Sequence, residues 1–368
     1  MLSYKKHLSP LFDRLDSERM HKLVVSLLHY TAMIPGGCRL LTALFHPKGE
    51  EDFTPLRTTL AGLELESPVM IGAGWDKDAL AVFALHALGF AAVEIGGVVE
   101  FPQYGRPKPR QFVIGPGVAI NRLGFNSPGM EVVWENLQAY RESHIPIGIN
   151  LARNENVPDG DAPAAYARVA AKLYQEGAFF TINVSCPNTP HLLHLQEKTY
   201  LTDIVQAVQA TLIACGGHKP VFIKISPDLT SSALSDIIQV AMDNQVDGIV
   251  ATNTTTNASI KGKYGPRWQN EFGGFSGDDD DYRQMTLIAI RQIYQETGGK
   301  LPIIGVGGVK DGPTALDKLR AGANAVQVVT SMRGEGLGVA FQIKSQMVAW
   351  MRQHGVHSLQ EMIGNDHL

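Results

Sequence analysis

The chain has 368 residues, of which 44% are hydrophobic and 18% are charged, so it can bury a large core and a globally disordered protein is excluded. The formal net charge of −4 provides no basic field, and a nucleic-acid partner is therefore not expected. The three cysteines, Cys38, Cys186 and Cys215, have no CxxC spacing, which argues against a disulfide scaffold or a structural zinc site and favours a reducing compartment.

The first predicted elements are two helices within residues 1–48, which we interpret as an N-terminal α-helical hairpin. Asp16 can cap a helix over residues 16–34, and Pro35-Gly36-Gly37 ends it. Both helices have apolar residues at the spacing of one helical face: Met20, Leu23, Val24, Leu27 and Leu28, then Leu40, Leu41, Leu44 and Phe45. The pattern fits either a lid packed on the main domain or a hairpin that dips into a membrane surface.

Residues 49–368 alternate short β-rich runs with helix-like segments. Eight such runs predict an α/β fold of the (β/α)8 TIM-barrel type rather than a doubly wound sheet. The runs are Val69–Gly72, Ala92–Gly96, Ile147–Leu151, Phe179–Val184, Val221–Ile225, Gly248–Thr252, Pro302–Val306 and Ala325–Thr330.

Polar residues concentrate where these strands end, which is where barrel enzymes carry their chemistry. A single asparagine in such a loop is usually a turn residue, but a group of them favours a polar, planar ligand. The group comprises Asn150, Asn183, Asn188 and Asn253.

Two further features indicate the chemical class of the ligand. Gly307-Gly308 and Thr330-Ser331 follow the last two strands, where barrels commonly bind a phosphate through backbone N–H groups. Lys224 ends the fifth strand, and it either pairs with an acid such as Asp228 or faces an electron-rich ring whose reduced anion it would stabilise. A phosphate site together with a lysine that faces a ring indicates flavin mononucleotide (FMN).

Several motifs carry a family resemblance: Ala73-Gly74-Trp75-Asp76-Lys77-Asp78, Glu94-Ile95-Gly96, Lys108-Pro109-Arg110, Asn121-Arg122-Leu123-Gly124-Phe125-Asn126, Gly148-Ile149-Asn150, Asn183-Val184-Ser185-Cys186-Pro187-Asn188-Thr189-Pro190, Lys224-Ile225-Ser226-Pro227-Asp228-Leu229, Ala251-Thr252-Asn253-Thr254-Thr255 and Gly273-Gly274-Phe275-Ser276-Gly277. With these motifs the chain resembles the dihydroorotate dehydrogenases over nearly its whole length. Residues 15–21 resemble the helical extension of the class 2, membrane-associated members, which pass electrons to quinone.

The resemblance implies FMN-dependent oxidation of dihydroorotate to orotate in de novo pyrimidine (UMP) biosynthesis. It implies a quinone acceptor and a peripheral location on the cytoplasmic side of a membrane, met through the hairpin, or otherwise a cytoplasmic one. The implied cofactor contacts are Ala73, Gly74, Lys77, Gly97, Asn150, Asn183, Lys224, Thr252, Gly277, Gly308, Val329 and Thr330. The implied substrate contacts are Lys77, Asn121, Arg122, Leu123, Gly124, Phe125, Asn183, Asn188, Asn253 and Thr254. The implied base is Cys186, quinone access involves His21 and Arg110, and no metal is expected.

Three residues depart from the class 2 pattern. Cys186 stands at the base position, where class 2 members typically have serine and soluble class 1 members have cysteine. Val113 replaces an arginine near the quinone entrance, and Val329 replaces a tyrosine after the last strand. The alternatives are therefore fumarate or NAD as the acceptor, a related flavin-dependent dihydropyrimidine dehydrogenase, or a nucleotide-binding barrel that has lost catalysis.

Three remaining segments have structural interpretations. The acidic run 278–281 is interpreted as the solvated start of a helix rather than a metal site. The long connections 99–145 and 254–283 exceed ordinary loop lengths, and we expect them to cover the active site.

Overall fold

The computed structural model describes residues 16–47, 51–185 and 195–367. The strands in these ranges are β1 (Thr58–Leu60), β2 (Leu63–Leu65), β3 (Val69–Ile71), β4 (Val93–Val98), β5 (Gln111–Gly115), β6 (Val118–Asn121), β7 (Ile147–Leu151), β8 (Phe179–Asn183), β9 (Val221–Ile225), β10 (Gly248–Ala251), β11 (Gly274–Gly277), β12 (Ile303–Val306) and β13 (Ala325–Val328).

The α-helices in the same ranges are α1 (Ser17–Met33), α2 (Gly37–Phe45), α3 (Val82–Ala87), α4 (Met130–Leu137), α5 (Ala162–Lys172), α6 (Lys198–Cys215), α7 (Ser231–Asp243), α8 (Ala258–Gly262), α9 (Pro266–Gln269), α10 (Asp280–Thr297), α11 (Gly312–Arg320), α12 (Ser331–Glu335) and α13 (Val339–His354).

Eight parallel strands close into a barrel in the order β3, β4, β7, β8, β9, β10, β12, β13. These are the eight strands predicted from the sequence, with ends that differ by at most two residues. Strands such as β7, β8 and β9 are buried along their whole length, which explains why they read as continuous apolar runs. The (β/α)8 prediction is confirmed.

Two small sheets were not predicted. The hairpin of β1 and β2 packs Leu60 and Leu65 against Phe179 and Phe222, and these residues form one buried cluster at the amino-terminal end of the barrel. At the opposite end, β5, β6 and β11 form an antiparallel sheet in the order β11-β6-β5. This second sheet is built from the two long connections, so they are not irregular loops.

Helices α1 and α2 precede the barrel and form the predicted hairpin. Asp16 caps α1 by accepting a hydrogen bond from the backbone N–H of Arg19 over 2.8 Å. The rest of the protein covers only part of the predicted apolar face of α1, because Leu28 is buried whereas Leu23 and Leu27 are more than half exposed. The predicted boundary at residues 48 and 49 lies outside the described residues and stays a prediction.

Residues 278–281 begin α10 as predicted, with Asp279 as the cap that accepts from the backbone N–H of Tyr282. The expectation that the run is solvated is wrong for Asp279, because its carboxylate is buried and is bonded by Lys263 and Tyr264. Among the described residues, no group of three or more histidine, cysteine or acidic side chains is placed to hold a metal ion.

Candidate active site

A cavity of about 470 Å3 lies at the carboxyl-terminal mouth of the barrel and reaches helix α1. The barrel strands supply its floor, β6 and β11 supply one wall, and α1 supplies another. The volume is in the range of a cofactor or drug-sized ligand site. The two long connections do therefore cover the mouth of the barrel, as the sequence predicted.

Every residue predicted to contact the cofactor lines this cavity: Ala73, Gly74, Lys77, Gly97, Asn150, Asn183, Lys224, Thr252, Gly277, Gly308, Val329 and Thr330. They come from the ends of different strands, and parallel pairing brings them together. The register sets Asn183 of β8 beside Lys224 of β9, and Gly96 of β4 beside Asn150 of β7. The roles of these residues stay predictions.

Most of the predicted substrate contacts line the same cavity: Lys77, Asn121, Leu123, Gly124, Phe125, Asn183, Asn253 and Thr254. Arg122 does not. Its guanidinium pairs with Glu271, packs over the ring of Phe112 and donates to the Pro109 carbonyl oxygen. Asn188 and Cys186 lie outside the described residues.

The amide side chains at the mouth form hydrogen bonds with one another and with neighbouring polar groups. The Asn183 Nδ2 donates to the Asn150 Oδ1 over 2.9 Å, and the Asn253 Nδ2 donates to the Ser185 Oγ over 3.1 Å. The Lys77 ammonium donates to the Asn126 Oδ1 over 2.5 Å. A ring that carries amide N–H and C=O edges would find matching donors and acceptors here.

The residues present fit a flavin on three grounds. Gln327 lines the cavity, and its Oε1 is buried without a hydrogen-bond partner among the described residues, so a ligand N–H would satisfy it. Gly307 and Gly308 have φ of +100° and +70°, a conformation that disfavours a side chain and brings backbone to the cavity wall. Lys224 is buried and lines the cavity. Asp228, its alternative partner in the sequence interpretation, accepts hydrogen bonds from Thr255 and Thr256.

His21 lies where the cavity meets α1. Its Nε2 lies 2.7 Å from the Trp75 carbonyl oxygen and donates to it, and its ring packs edge-on against the indole. Burial lowers the pKa of His21 to about 4, and the nearby charges of Lys77 and Arg333 act in the same direction, against the Trp75 hydrogen bond. The imidazole is therefore neutral at physiological pH.

Arg110, the second residue predicted at the quinone entrance, is not in the cavity lining. Its guanidinium forms a fork with the carboxylate of Glu18 on α1, with contacts of 3.0 and 2.7 Å, and it also donates to the carbonyl oxygens of Tyr104 and Arg106. Arg110 and Glu18 are both buried, so the pair fastens α1 to the barrel. The hydrogen bonds and charge of Arg110 lower the pKa of Glu18.

The sequence interpretation missed several lining residues, including Met20, Trp75, Gln111, Gln327 and Arg333. Arg333 is on α12, and its guanidinium donates to the Ser17 Oγ over 2.5 Å. The sequence could not predict Arg333 as a residue of the cavity, because only the tertiary structure brings it close to α1. No aspartate or glutamate is among the described residues that line the cavity, whose fixed charges are the cations Lys77, Lys224 and Arg333.

Comparisons with known proteins agree with this geometry. The family model described as dihydroorotate dehydrogenase matches residues 55–351. A dihydroorotate dehydrogenase (quinone) of Rhodopseudomonas palustris is 37% identical over 97% of this chain and 94% of its own length. The mitochondrial dihydroorotate dehydrogenase (quinone) of Mus musculus is 36% identical over 99% of this chain and 90% of its own.

The solved structure of DHODH from Eimeria tenella in complex with ferulenol superposes with a TM-score of 0.85 at 30% identity, and all of both chains is covered. The match to the family model spans most of the barrel, and the relatives span nearly the whole chain, including α1 and α2. The chain belongs to the dihydroorotate dehydrogenase family.

Proposed function

We propose that this protein oxidises dihydroorotate to orotate with FMN as its cofactor and a quinone as its electron acceptor. The observation that carries the proposal is one continuous cavity, which joins the polar residues at the barrel mouth to apolar side chains of helix α1 such as Met20 and Val24. A substrate, a redox cofactor and an apolar acceptor could meet in it without leaving the protein. The names of the relatives support the same activity.

The polar half of the cavity matches the substrate. Dihydroorotate is a cyclic diamide with one carboxylate, and its oxidation to orotate makes the ring flat. The amides of Asn121, Asn183 and Asn253 can pair with its N–H and C=O edges, and the ammonium of Lys77 can meet its carboxylate. The absence of acidic side chains from the described lining favours an anionic ligand.

The barrel floor supports FMN as the cofactor. Gly307, Gly308 and Thr330 would hold its phosphate, and Gln327 would accept from a ring N–H. Bound FMN would take the hydride from the substrate carbon. Lys224 would stabilise the negative charge that the ring gains.

The proton that leaves next to the substrate carbonyl needs a base, and we assign it to Cys186. A free thiol has a pKa of about 8.5, much closer to neutral than that of a serine hydroxyl, so a cysteine base favours activity at lower pH than a serine base. We expect Cys186→Ser to move the rising limb of the rate of flavin reduction to higher pH. Identical pH profiles for the wild type and Cys186→Ser would contradict this role.

The α1 end of the cavity fits a quinone better than fumarate or NAD. Its walls include the apolar side chains of Met20, Val24, Met332 and Leu337, which can pack on a hydrophobic ring and tail. Cationic Arg333 beside them could donate to a carbonyl oxygen of the quinone, and neutral His21, whose Nε2–H is bonded to Trp75, could accept from a hydroxyl group of the reduced acceptor. The hairpin would meet a membrane on its cytoplasmic side as a peripheral contact, where long-chain quinones dissolve.

One experiment tests the whole proposal. Purified protein is expected to be yellow with FMN, to be bleached by dihydroorotate, and to be reoxidised faster by a short-chain quinone than by fumarate or NAD. A colourless protein that takes up no FMN would refute the flavin enzyme. Faster reoxidation by fumarate or NAD would refute the quinone acceptor alone.

A further inference from the structure

Glu94 is a buried carboxylate that is not among the proposed contacts of the cofactor, the substrate or the quinone. It lies in β4 with no exposed surface, and it is not among the residues that line the cavity. Its Oε1 accepts from the Asn150 Nδ2 over 2.7 Å, and its Oε2 accepts from the Gln327 Nε2. Asn150 and Gln327 do line the cavity, so Glu94 lies directly behind its wall.

A carboxylate accepts hydrogen bonds and an amide both donates and accepts, so Glu94 forces a direction on each neighbour. Asn150 must turn its Nδ2 towards Glu94, which leaves its Oδ1 to accept from the Asn183 Nδ2. Asn183 must then present its Oδ1 on the other side, where it accepts from the Ser185 Oγ over 3.2 Å. The carboxylate of Glu94 therefore fixes the orientation of the side-chain amides of Asn150 on β7 and Asn183 on β8.

Gln327 is fixed in the same way. Its Nε2 is held by Glu94, so its other atom, Oε1, must be the acceptor on the far side of the amide. That Oε1 is buried and has no hydrogen-bond partner in the described part of the chain. A buried acceptor left unpaired costs free energy unless a ligand donor meets it.

We propose that Glu94 is a positioning residue that sets which atoms of Asn150, Asn183 and Gln327 are donors and which are acceptors for the bound ligands. This inference rests on the proposed function, because those amides are the groups assigned to the cofactor and the substrate. Glu94 itself touches neither.

The replacement Glu94→Gln is informative because glutamine has nearly the same shape but one oxygen and one NH2 group. In either orientation its NH2 faces the NH2 of Asn150 or that of Gln327. One of those two amides must turn over to recover a hydrogen bond, and the pattern that the cavity wall presents then changes.

The double variant Glu94→Gln/Gln327→Glu moves the carboxylate to the other side of the same contact. The glutamine introduced on β4 then donates its NH2 to the carboxylate introduced on β13. Its oxygen again accepts from the Asn150 Nδ2, so the direction of the Asn150 and Asn183 amides is restored.

The experiment compares the wild type, Glu94→Gln, the swapped double variant and the control Glu100→Gln. Glu100 is also a buried carboxylate near the end of β4, but its partner is Arg168 and it does not line the cavity. The readouts are the dissociation constants of FMN and of orotate, the latter titrated through the flavin spectrum. We expect Glu94→Gln to weaken orotate binding about tenfold or more. The swapped variant, whose residue 327 is assigned to FMN and not to orotate, should recover orotate binding to within about threefold of the wild type.

A measurement on the protein without FMN or orotate tests the role of Glu94 independently of the proposed function. Selective 15N-asparagine labelling reports the side-chain NH2 signals of Asn150 and Asn183, which we expect to move in Glu94→Gln and to return in the swapped variant. If the wild type binds no FMN, the proposed function fails while these signals still test Glu94. Unmoved signals, or a swapped variant no better than Glu94→Gln in binding or folding, would overturn the role.

Discussion

At the scale of single residues, His21 shows how burial sets chemistry at the α1 end of the cavity. The fold holds its ring against Trp75 beside two cations, and the pKa of His21 falls to about 4. A neutral imidazole with Nε2–H bonded to a carbonyl has Nδ1 as its acceptor nitrogen. His21 can therefore receive a hydrogen bond from an acceptor's hydroxyl group, but it adds no charge near neutral pH.

This depressed pKa predicts a pH dependence of stability. Below its usual pKa of about 6.5, His21 takes up a proton in the unfolded chain but not in the folded one, so the free energy of unfolding falls as pH drops from 6.5 towards 4. Between pH 7 and pH 5 the His21 contribution is about 2 kcal/mol. We expect His21→Gln to remove that part of the slope in urea unfolding. His144→Gln, at an exposed position, should leave the slope unchanged, and equal slopes in all three proteins would contradict the prediction.

At the scale of elements, helix α1 is held to the barrel by charge as well as by apolar packing. Glu18 is buried against Arg110, with Lys108 at 3.6 Å and Lys22 at 3.9 Å from its carboxylate. On the same helix, Ser17 accepts a hydrogen bond from Arg333. The contacts with Arg110, Lys108 and Arg333 hold α1, one wall of the cavity, against the rest of the protein, whereas the contact with Lys22 lies within α1 itself.

Loss of the Glu18 charge should loosen α1 without disturbing the barrel. A hydrogen bond to a charged group contributes about 1.5–3 kcal/mol, so Glu18→Gln should speed hydrogen exchange in α1 by roughly 10- to 100-fold. Turnover with quinone should fall, whereas flavin reduction by dihydroorotate should keep its rate. Arg291→Gln, which removes a more exposed pair with Asp366, is the control. Slower flavin reduction in Glu18→Gln would show that α1 acts on more than the acceptor.

The elements also show what the sequence could and could not predict. The barrel strands could be predicted from the sequence because parallel strands that are buried on both faces consist of continuous apolar residues. Strand β5 was not, because all five of its residues are half-buried and show no alternation. Its sheet depends on pairing between β6 and β11, which lie more than 150 residues apart in the chain. Such pairing leaves no local pattern.

The same distinction holds within the site. Asn150, Asn183 and Lys224 were predicted because each stands at the end of a strand, where the fold dictates a position at the barrel mouth. Glu94 and Gln327 lie within strands and face the barrel interior, so position alone assigned them no role. A charged residue inside an otherwise apolar strand was the signal that could have found Glu94.

At the scale of the whole molecule, the hairpin presents an apolar surface that the barrel does not cover. Leu23, Leu27 and Tyr30 are exposed at i, i+4 and i+7 on α1, and Leu40 and Leu44 are exposed on α2. Arg19, Lys22 and Arg39 are exposed on the same two helices. No helix of the described residues is long and apolar enough to cross a membrane. An apolar face with cations beside it is the pattern of a helix pair that lies in the membrane interface.

This surface predicts binding to vesicles that contain anionic lipid. We expect the double variant Leu27→Glu/Leu44→Glu to lose co-sedimentation by about tenfold or more, because it places two charges where apolar side chains would enter the bilayer. Ile213→Glu alters an equally exposed apolar residue on α6 and should bind as the wild type does. Because the cavity and this surface share α1, the double variant should also turn over a long-chain quinone in vesicles more slowly, yet keep its rate with a short-chain quinone in water. Equal binding by all three proteins would leave the hairpin as a lid on the barrel, with no role at the membrane.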